Sequence, residues 1–387
     1  MHRSPLRTAA VLAALALLLG VLAAYGPALW RTYLEALARR SAPLYQPRER
    51  VTGGNEPVAP RVAPALEQLD PQALESAASY AGAHGSRALI VARHDHIVFE
   101  RYWGGSKFDT VSDAQDFTAL LAVLATGVAV SHRSIPWPDE PLSLLLAEWR
   151  EDPRGVITVR NLMQRSSGLA SGADLKASAD LTTTVLGIPL VQVPGSTRVP
   201  EASDAQLLAL ALERATGERY AQYVSSALWR RLGAADAYLW LDHPGGASHA
   251  DCCMFARQGD WIRVAQLLVR DGAYRGQQLM RPGWVTFMRT PAKSDADFGS
   301  FVRVSLRPSA RSEPYAARDA FAVGEEGGNR MWIVPSLQLG IVCTGPSQGR
   351  AADWDEVRIP NLIIGAARDQ LPAAAPPSKV SALVPGH

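Results

Sequence analysis

The sequence predicts a mixed α/β (α+β) domain. One antiparallel sheet is drawn from both ends of the chain, with terminal helices and a helical subdomain inserted between its halves. Three observations carry this. The β-rich runs ALIVAR (88–93) and HIVFERYW (96–103) are separated by a short polar turn and read as a hairpin. A second pair, NRMWIVP and LQLGIVCTG (329–345), turns around Pro335–Ser336 near the other end. Between them, 136–285 is mostly helical in pattern; DAQLLALALERATGERYAQYVSSALWRRLG (204–233) shows amphipathic periodicity over two helices. A cleft between sheet and helical part is where a site is expected.

Taken in chain order, the elements divide as follows. His2, Arg3 and Arg7 precede an uncharged apolar run at 8–30, with Tyr25 and Trp30 at its far end. A run of about 23 residues is long enough for one bilayer span, and terminal aromatics suit a membrane interface. Residues 1–30 are therefore expected to be an inner-membrane anchor, or else a signal segment, with the main domain periplasmic. Residues 31–60, charged and then rich in Pro and Gly, read as a linker. The folded domain is expected over 61–370. It opens with a helical pattern at 61–83, carries an apolar helix from about 113 to 128 and closes with a helix in DEVRIPNLIIGAARDQL (355–371). The Ala/Pro-rich tail, 371–387, is expected to be disordered.

Composition narrows the function classes. The 387 residues are 47% hydrophobic with a formal net charge of +2, which gives no electrostatic footprint for nucleic acid. No Cys/His spacing matches a zinc site, and no cofactor or metal is implied. His94 and His96 flank Asp95 in the first hairpin turn, not a metal centre. Of the three cysteines, Cys252 and Cys253 are adjacent and Cys343 lies in an apolar strand; all three read as small buried hydrophobes without a disulfide framework.

Two Ser-x-x-Gln stretches stand at expected helix starts, SDAQ at 112–115 and again at 203–206. The pattern is that of a capping box, in which the serine accepts from an amide of the first turn and the glutamine reaches back. At 203–206 this is the natural reading. At 112–115 two readings stand: Ser112 caps its helix, or it faces the cleft.

The chain resembles the β-lactamase-related serine hydrolases, which include class C β-lactamases, penicillin-binding DD-peptidases, esterases and 6-aminohexanoate-oligomer hydrolases. The resemblance spans about 75–368 in collinear segments such as FTALLAVLATG, WREDPRGVITVRNLMQRSSGL and GGNRMWIVPSLQLGIV. It implies a β-lactamase/transpeptidase-like fold and three catalytic motifs. The first, Ser-x-x-Lys at a helix start, aligns Ser112 with the nucleophile and Gln115 with the lysine. The whole chain contains no Ser-x-x-Lys. The second, Tyr-x-Asn/Ser, follows a Pro-Gly-Ser/Thr loop; here PGSTRVPEA places Pro200 on the tyrosine, with Glu201 and Ala202 after it. The third, a strand segment ending in glycine that supplies backbone to the oxyanion region, reads GEEGGN, with Gly324, Glu325, Glu326, Gly327 and Gly328 as candidate ligand-binding residues.

Glutamine takes no proton near neutral pH and proline has no ionisable group. The resemblance therefore implies the fold of a serine hydrolase with degenerate catalytic positions. One expectation is a protein that binds a small amide or ester, a cell-wall-related ligand or a protein partner. The alternative is a hydrolase in which Ser112 is activated by a replacement base, Asp116 or Glu201. Asp113 and Asp116 with the three glutamates further suggest an acidic cleft. Ser166–Ser167 match a structural loop of the family.

Overall fold

The computed structural model describes residues 46–199, 202–324, 328–345 and 353–367. The expected anchor at 1–30 and the tail at 371–387 lie outside them. Among the described residues no helix is long and apolar enough to cross a membrane.

Eleven strands are described: β1 (Arg48–Val51), β2 (Ala88–Arg93), β3 (His96–Tyr102), β4 (Val111–Asp113), β5 (Ala237–Trp240), β6 (Met254–Arg257), β7 (Ala273–Tyr274), β8 (Gln277–Gln278), β9 (Phe321–Val323), β10 (Arg330–Val334) and β11 (Leu339–Thr344). The main sheet runs β3-β2-β11-β10-β9, antiparallel throughout, so the two chain ends meet at the β2–β11 pair. The hairpin between β2 and β3 turns at His94 and Asp95, both at positive φ, which matches the right-handed twist of the strands it joins. The second hairpin turns at Pro335–Leu337 as expected.

This sheet is buried on both faces. Ile90 and Ala92 of β2, with Met331, Ile333 and Val342, belong to the large core under the helical half. Leu89 and Val91, with Trp332, Ile341 and Cys343, face a second core. That core is covered by α1 (Pro71–Ala83) and, at the far end of the chain, by a helix at Arg358–Gly365. The period-2 alternation of side chains along each strand produces the split.

The helical half is built around α2 (Asp116–Ser131), in which every residue from Phe117 to Val130 is buried. A helix apolar on all sides can only be a central one. Gly127 lets Trp284 cross it, since a Cβ there would lie 2.5 Å from the indole Nε1. Short helices α3 (Val159–Met163) and α4 (Leu181–Gly187) and the longer α5 (Ala202–Thr216) surround it.

Several boundaries differ from the sequence reading. The 61–83 pattern is a 3-10 turn at Pro64–Glu67 followed by α1, which Asp70 caps and Pro71 begins; two prolines divide what the periodicity joined. The linker expected at 31–60 overlaps structure: β1 pairs with β5, and Gly53 packs so closely on Ala234 that a Cβ would lie 2.1 Å from its carbonyl oxygen. Its polar composition suits an edge strand as well as a linker. β1 belongs to a second antiparallel sheet, β1-β5-β6-β4, which the sequence did not announce. Finally, Cys252 and Cys253 form a disulfide, contrary to the expectation of free thiols; Cys343 is buried, its sulfur 3.3 Å from the Ser86 hydroxyl.

Candidate active site

The candidate site lies where β4 passes into α2. The sequence reading placed the helix start at Ser112. The structure places Ser112 inside β4, half-buried and paired with Ala256 of β6. The strand stops at Asp113 because the chain turns there: the Asp113 carboxylate accepts the Gln115 N–H at 2.9 Å, and Ala114 N–H is drawn to the Met254 carbonyl at 2.8 Å. α2 then begins at Asp116, with Gln115 as its N-cap. The capping-box expectation for 112–115 is thus corrected, since no side chain caps this helix. The same correction holds at 203–206: α5 begins at Ala202, so Ser203 stands inside the first turn.

This shift has a chemical consequence. The family's nucleophile stands at a helix start with its lysine one turn on. Here that start is Asp116, half-buried, and the residue three further on is Ala119, 4% exposed. Ser112 and Gln115, separated by a strand end and a tight corner, do not share a helical turn.

Gln115 itself is in a rare conformation, φ 52° and ψ −129°, which a side chain other than glycine adopts only when its surroundings enforce it. Its carboxamide oxygen accepts two backbone N–H groups, from Gly328 at 2.6 Å and Asn329 at 3.2 Å. Asn329, 2% exposed, locks the same corner from the other side. Its side-chain Nδ2 donates to the carbonyls of Asp113 (3.2 Å) and Ala114 (3.0 Å), and its side-chain Oδ1 accepts Gly345 N–H at 3.2 Å. Gly324, at φ +101°, completes the approach; a Cβ there would meet the Asn329 carbonyl oxygen at 2.4 Å.

The structure therefore brings Gln115, Gly328 and Gly324 together around Asn329. Pro200, Glu201, Glu325, Glu326 and Gly327 lie outside the described residues. Near them, arginines lie over aromatic rings, and Arg198 also pairs with Asp295 at 3.9 Å. Arg198 and Arg303 lie 3.5 and 4.4 Å from the Phe298 ring centroid, and Arg165 lies 4.9 Å from that of Phe301. Val199 N–H bonds to the Arg165 carbonyl, and Arg303 pairs with Ala322 of β9 through both its N–H and its carbonyl. The acidic-cleft expectation rests in part on Glu201, Glu325 and Glu326, which lie outside the described residues; Asp113 and Asp116 are both half-buried at the corner. Ser166 and Ser167 are structural, as expected; Ser166 accepts Gly195 N–H, and the Ser167 hydroxyl accepts Leu169 N–H.

Sequence reasoning missed Asn329 as the pin of the corner, and it missed Asp204. Asp204 is 2% exposed and accepts Ser167 N–H at 3.4 Å. The signal for Asn329 was present in Gly-Gly-Asn, but a turn motif does not tell which side chain points inward.

With this geometry in view, the comparisons are informative. The β-lactamase family model matches residues 71–342, most of the chain. The chain belongs to the β-lactamase family. Similar solved structures bear out the fold. One described as a 6-aminohexanoate-dimer hydrolase of Bacillus anthracis has a TM-score of 0.71 at 16% identity, covering 86% of this chain and 93% of its own. A penicillin-binding protein homologue of Caulobacter crescentus has 0.61 at 14% identity, covering 77% and 98%. A β-lactamase of Mycobacterium bovis has 0.56 at 18%, covering 75% and 97%. At these identities the likeness speaks for the fold; this β-lactamase-family scaffold hosts more than one chemistry among its neighbours, and the site must decide the function.

Proposed function

We propose that this is an exported, membrane-tethered member of the β-lactamase family that has lost the family's acyl-enzyme chemistry and acts by binding a ligand or partner. The observation that carries the reading is Gln115. Its carboxamide oxygen occupies the pair of N–H groups offered by Gly328 and Asn329, in the segment that the resemblance associates with binding a substrate carbonyl. A side-chain carbonyl held there competes with an acyl carbonyl for the same donors. Asp116 and Ala119 at the helix start, and Pro200 at the tyrosine position, supply neither a lysine nor a phenol. Loss of one proton-transfer group costs about 10²–10⁴ in rate, and the losses need not add. The tether rests on the apolar segment 8–30 and the polar stretch after it.

A second reading is supported by Ser112, which is half-buried and does not cap the helix. In it, Ser112 attacks an activated ester with Asp116 or Glu201 as base. One experiment separates the two. The full-length protein in detergent is incubated with a fluorophosphonate and, separately, with a penicillin, and intact mass is read beside Ser112→Ala. The binding reading expects no adduct on folded protein. An adduct that maps to Ser112, absent in the variant, would establish an activated serine and overturn it.

A further inference from the structure

The loop between β5 and β6 holds a cluster that the function above does not use. His249 is fully buried, the Asp251 side chain is 4% exposed, and Cys252 is 9% exposed. The loop is pinned from both sides. Gln206 of α5 donates to the Ser248 carbonyl and accepts Ala250 N–H, each at 2.9 Å, and His249 N–H bonds to the Trp240 carbonyl at 2.9 Å. The His249 ring stacks on Trp240, with centroids 4.7 Å apart. Its orientation is therefore set by packing before any ligand arrives.

His249 Nδ1 lies 3.2 Å from Asp251 Oδ1 and 4.0 Å from Cys252 Sγ, and the three ligand atoms all fall within 4.8 Å of one another. A tetrahedral cation with bonds of about 2.0–2.3 Å needs ligand atoms roughly 3.3–3.8 Å apart. The nitrogen–oxygen and nitrogen–sulfur separations, 3.2 and 4.0 Å, lie within a few tenths of an ångström of that range, and the sulfur, now held in the disulfide, has to move inward to complete it. The His249 Nε2 atom is buried without a hydrogen-bond partner among the described residues. The Cys252–Cys253 disulfide is what withholds the sulfur.

We propose that this cluster is a redox-gated site for a thiophilic cation of the zinc type. A dithiol reductant passes two electrons and two protons to the Cys252–Cys253 bond and leaves as its own disulfide. Two thiols result. The cation then displaces the Cys252 thiol proton to solvent and is held by that thiolate, His249 Nδ1 and an Asp251 oxygen, with the Cys253 sulfur at hand next to them. A small-molecule disulfide reverses this by thiol–disulfide exchange: it takes the two electrons, with the Cys253 proton and one from solvent, leaves as its dithiol, and the closed Cys252–Cys253 bond releases the cation. The adjacent cysteines are in this view a switch for the site rather than a staple for the fold, since a ring closed between neighbours constrains almost no chain.

Cobalt(II) is the probe, because thiolate ligation gives it a charge-transfer band that oxygen and nitrogen ligands do not. The full chain, reduced and checked for native far-UV dichroism, is expected to bind one cobalt per molecule with that band, and zinc is expected to displace it. The oxidised protein is expected to show no band. Cys253→Ser cannot form the disulfide and should bind cobalt without reductant. His249→Ala should weaken binding by roughly 100-fold or more, as loss of even an outer partner costs 10–100-fold. Asp251→Asn serves as the milder variant if His249→Ala does not fold. Cys343→Ser should change nothing. Reduced, folded protein without the band would overturn the proposal. So would a band that survives both His249→Ala and Asp251→Asn undiminished, or one that disappears in Cys343→Ser.

Discussion

Two helices of this protein begin in opposite ways. α3 begins at Thr158, whose extended backbone (φ −100°, ψ 160°) leads into a reciprocal box: its hydroxyl accepts Asn161 N–H at 3.1 Å, and the Asn161 carbonyl oxygen accepts Thr158 N–H at 3.0 Å. Everything needed lies within four residues. α2 begins at Asp116, and its N-cap residue, Gln115, stands in a rare positive-φ conformation (φ 52°, ψ −129°) and makes no side-chain capping bond. Its side chain leaves the helix for Gly328 and Asn329, 213 and 214 residues away in sequence. The difference teaches where to look for function in this scaffold. A start stabilised by its own residues is architecture. A start whose strain is maintained by contacts from the far end of the chain is a place where the fold has been spent on positioning a side chain.

Four measurements test this contrast. The largest effect is expected for Asn329→Ala. Two carbonyls and one N–H lose their partner in a buried corner, and a few such losses at about 1–3 kcal/mol each predict about 3 kcal/mol or more of lost stability in urea unfolding. A loss below about 1 kcal/mol would mean that the corner holds itself. Next comes the pair Gln115→Gly and Gln115→Ala. Both give up the bonds to Gly328 and Asn329, but only glycine accepts φ 52° without strain, so the glycine variant should be more stable by about 1–2 kcal/mol. Equal stability of the two would remove the argument from strain. Thr158→Ala should cost about 1 kcal/mol, the usual worth of a cap, and should leave any ligand binding at the Gln115 corner unchanged.

The smallest effect concerns a third helix start. Asp180 caps α4, accepting the Thr183 hydroxyl at 2.6 Å and its N–H at 2.9 Å. The Thr183 hydroxyl first, and then its backbone N–H, hold the Asp180 carboxyl below the ordinary aspartate range. A carboxyl depressed in the folded state binds fewer protons there than in the unfolded chain. Its stabilisation is therefore present above about pH 4 and is lost as pH falls through the folded value. Stability measured across that acid range should fall less steeply in Asp180→Asn than in the parent. An unchanged slope would mean that the cap does not sense protonation. No equivalent slope is expected from Gln115, whose carboxamide does not titrate.

Much of this architecture was legible before any coordinates. The hairpins of the main sheet, the meeting of the chain ends and the central helix follow from period-2 and 3.6-residue patterns, which act over a few residues. The site was half legible. Alignment named the Gln115 and Gly328 segments, and the structure joins them through one hydrogen bond at 2.6 Å. It misplaced the start of α2 by three residues, because a serine three positions ahead of a glutamine looks like a cap wherever it stands. What ended β4 and delayed the helix was the pairing of Ser112 with Ala256 and the pull of Met254 on Ala114, contacts that no local pattern reports.

The cysteines show the same division. Adjacent Cys252 and Cys253 looked like buried filler, and the spacing of His249, Asp251 and Cys252 matches no familiar zinc motif. Only the folding of the β5–β6 loop under α5 and against Trp240 turns the histidine toward the carboxylate and sulfur. The sequence by itself determined the family, the layers and the loss of Ser-x-x-Lys, since these depend on residue identity and short-range periodicity. The tertiary structure alone decided that Asp116 begins the helix, that Gln115 reaches the Gly328–Asn329 backbone and that Arg198 and Arg303 both lie over Phe298. Each of these is a meeting of segments that lie far apart in the chain, and their geometry is set by the packing of the whole core rather than by any neighbour in sequence.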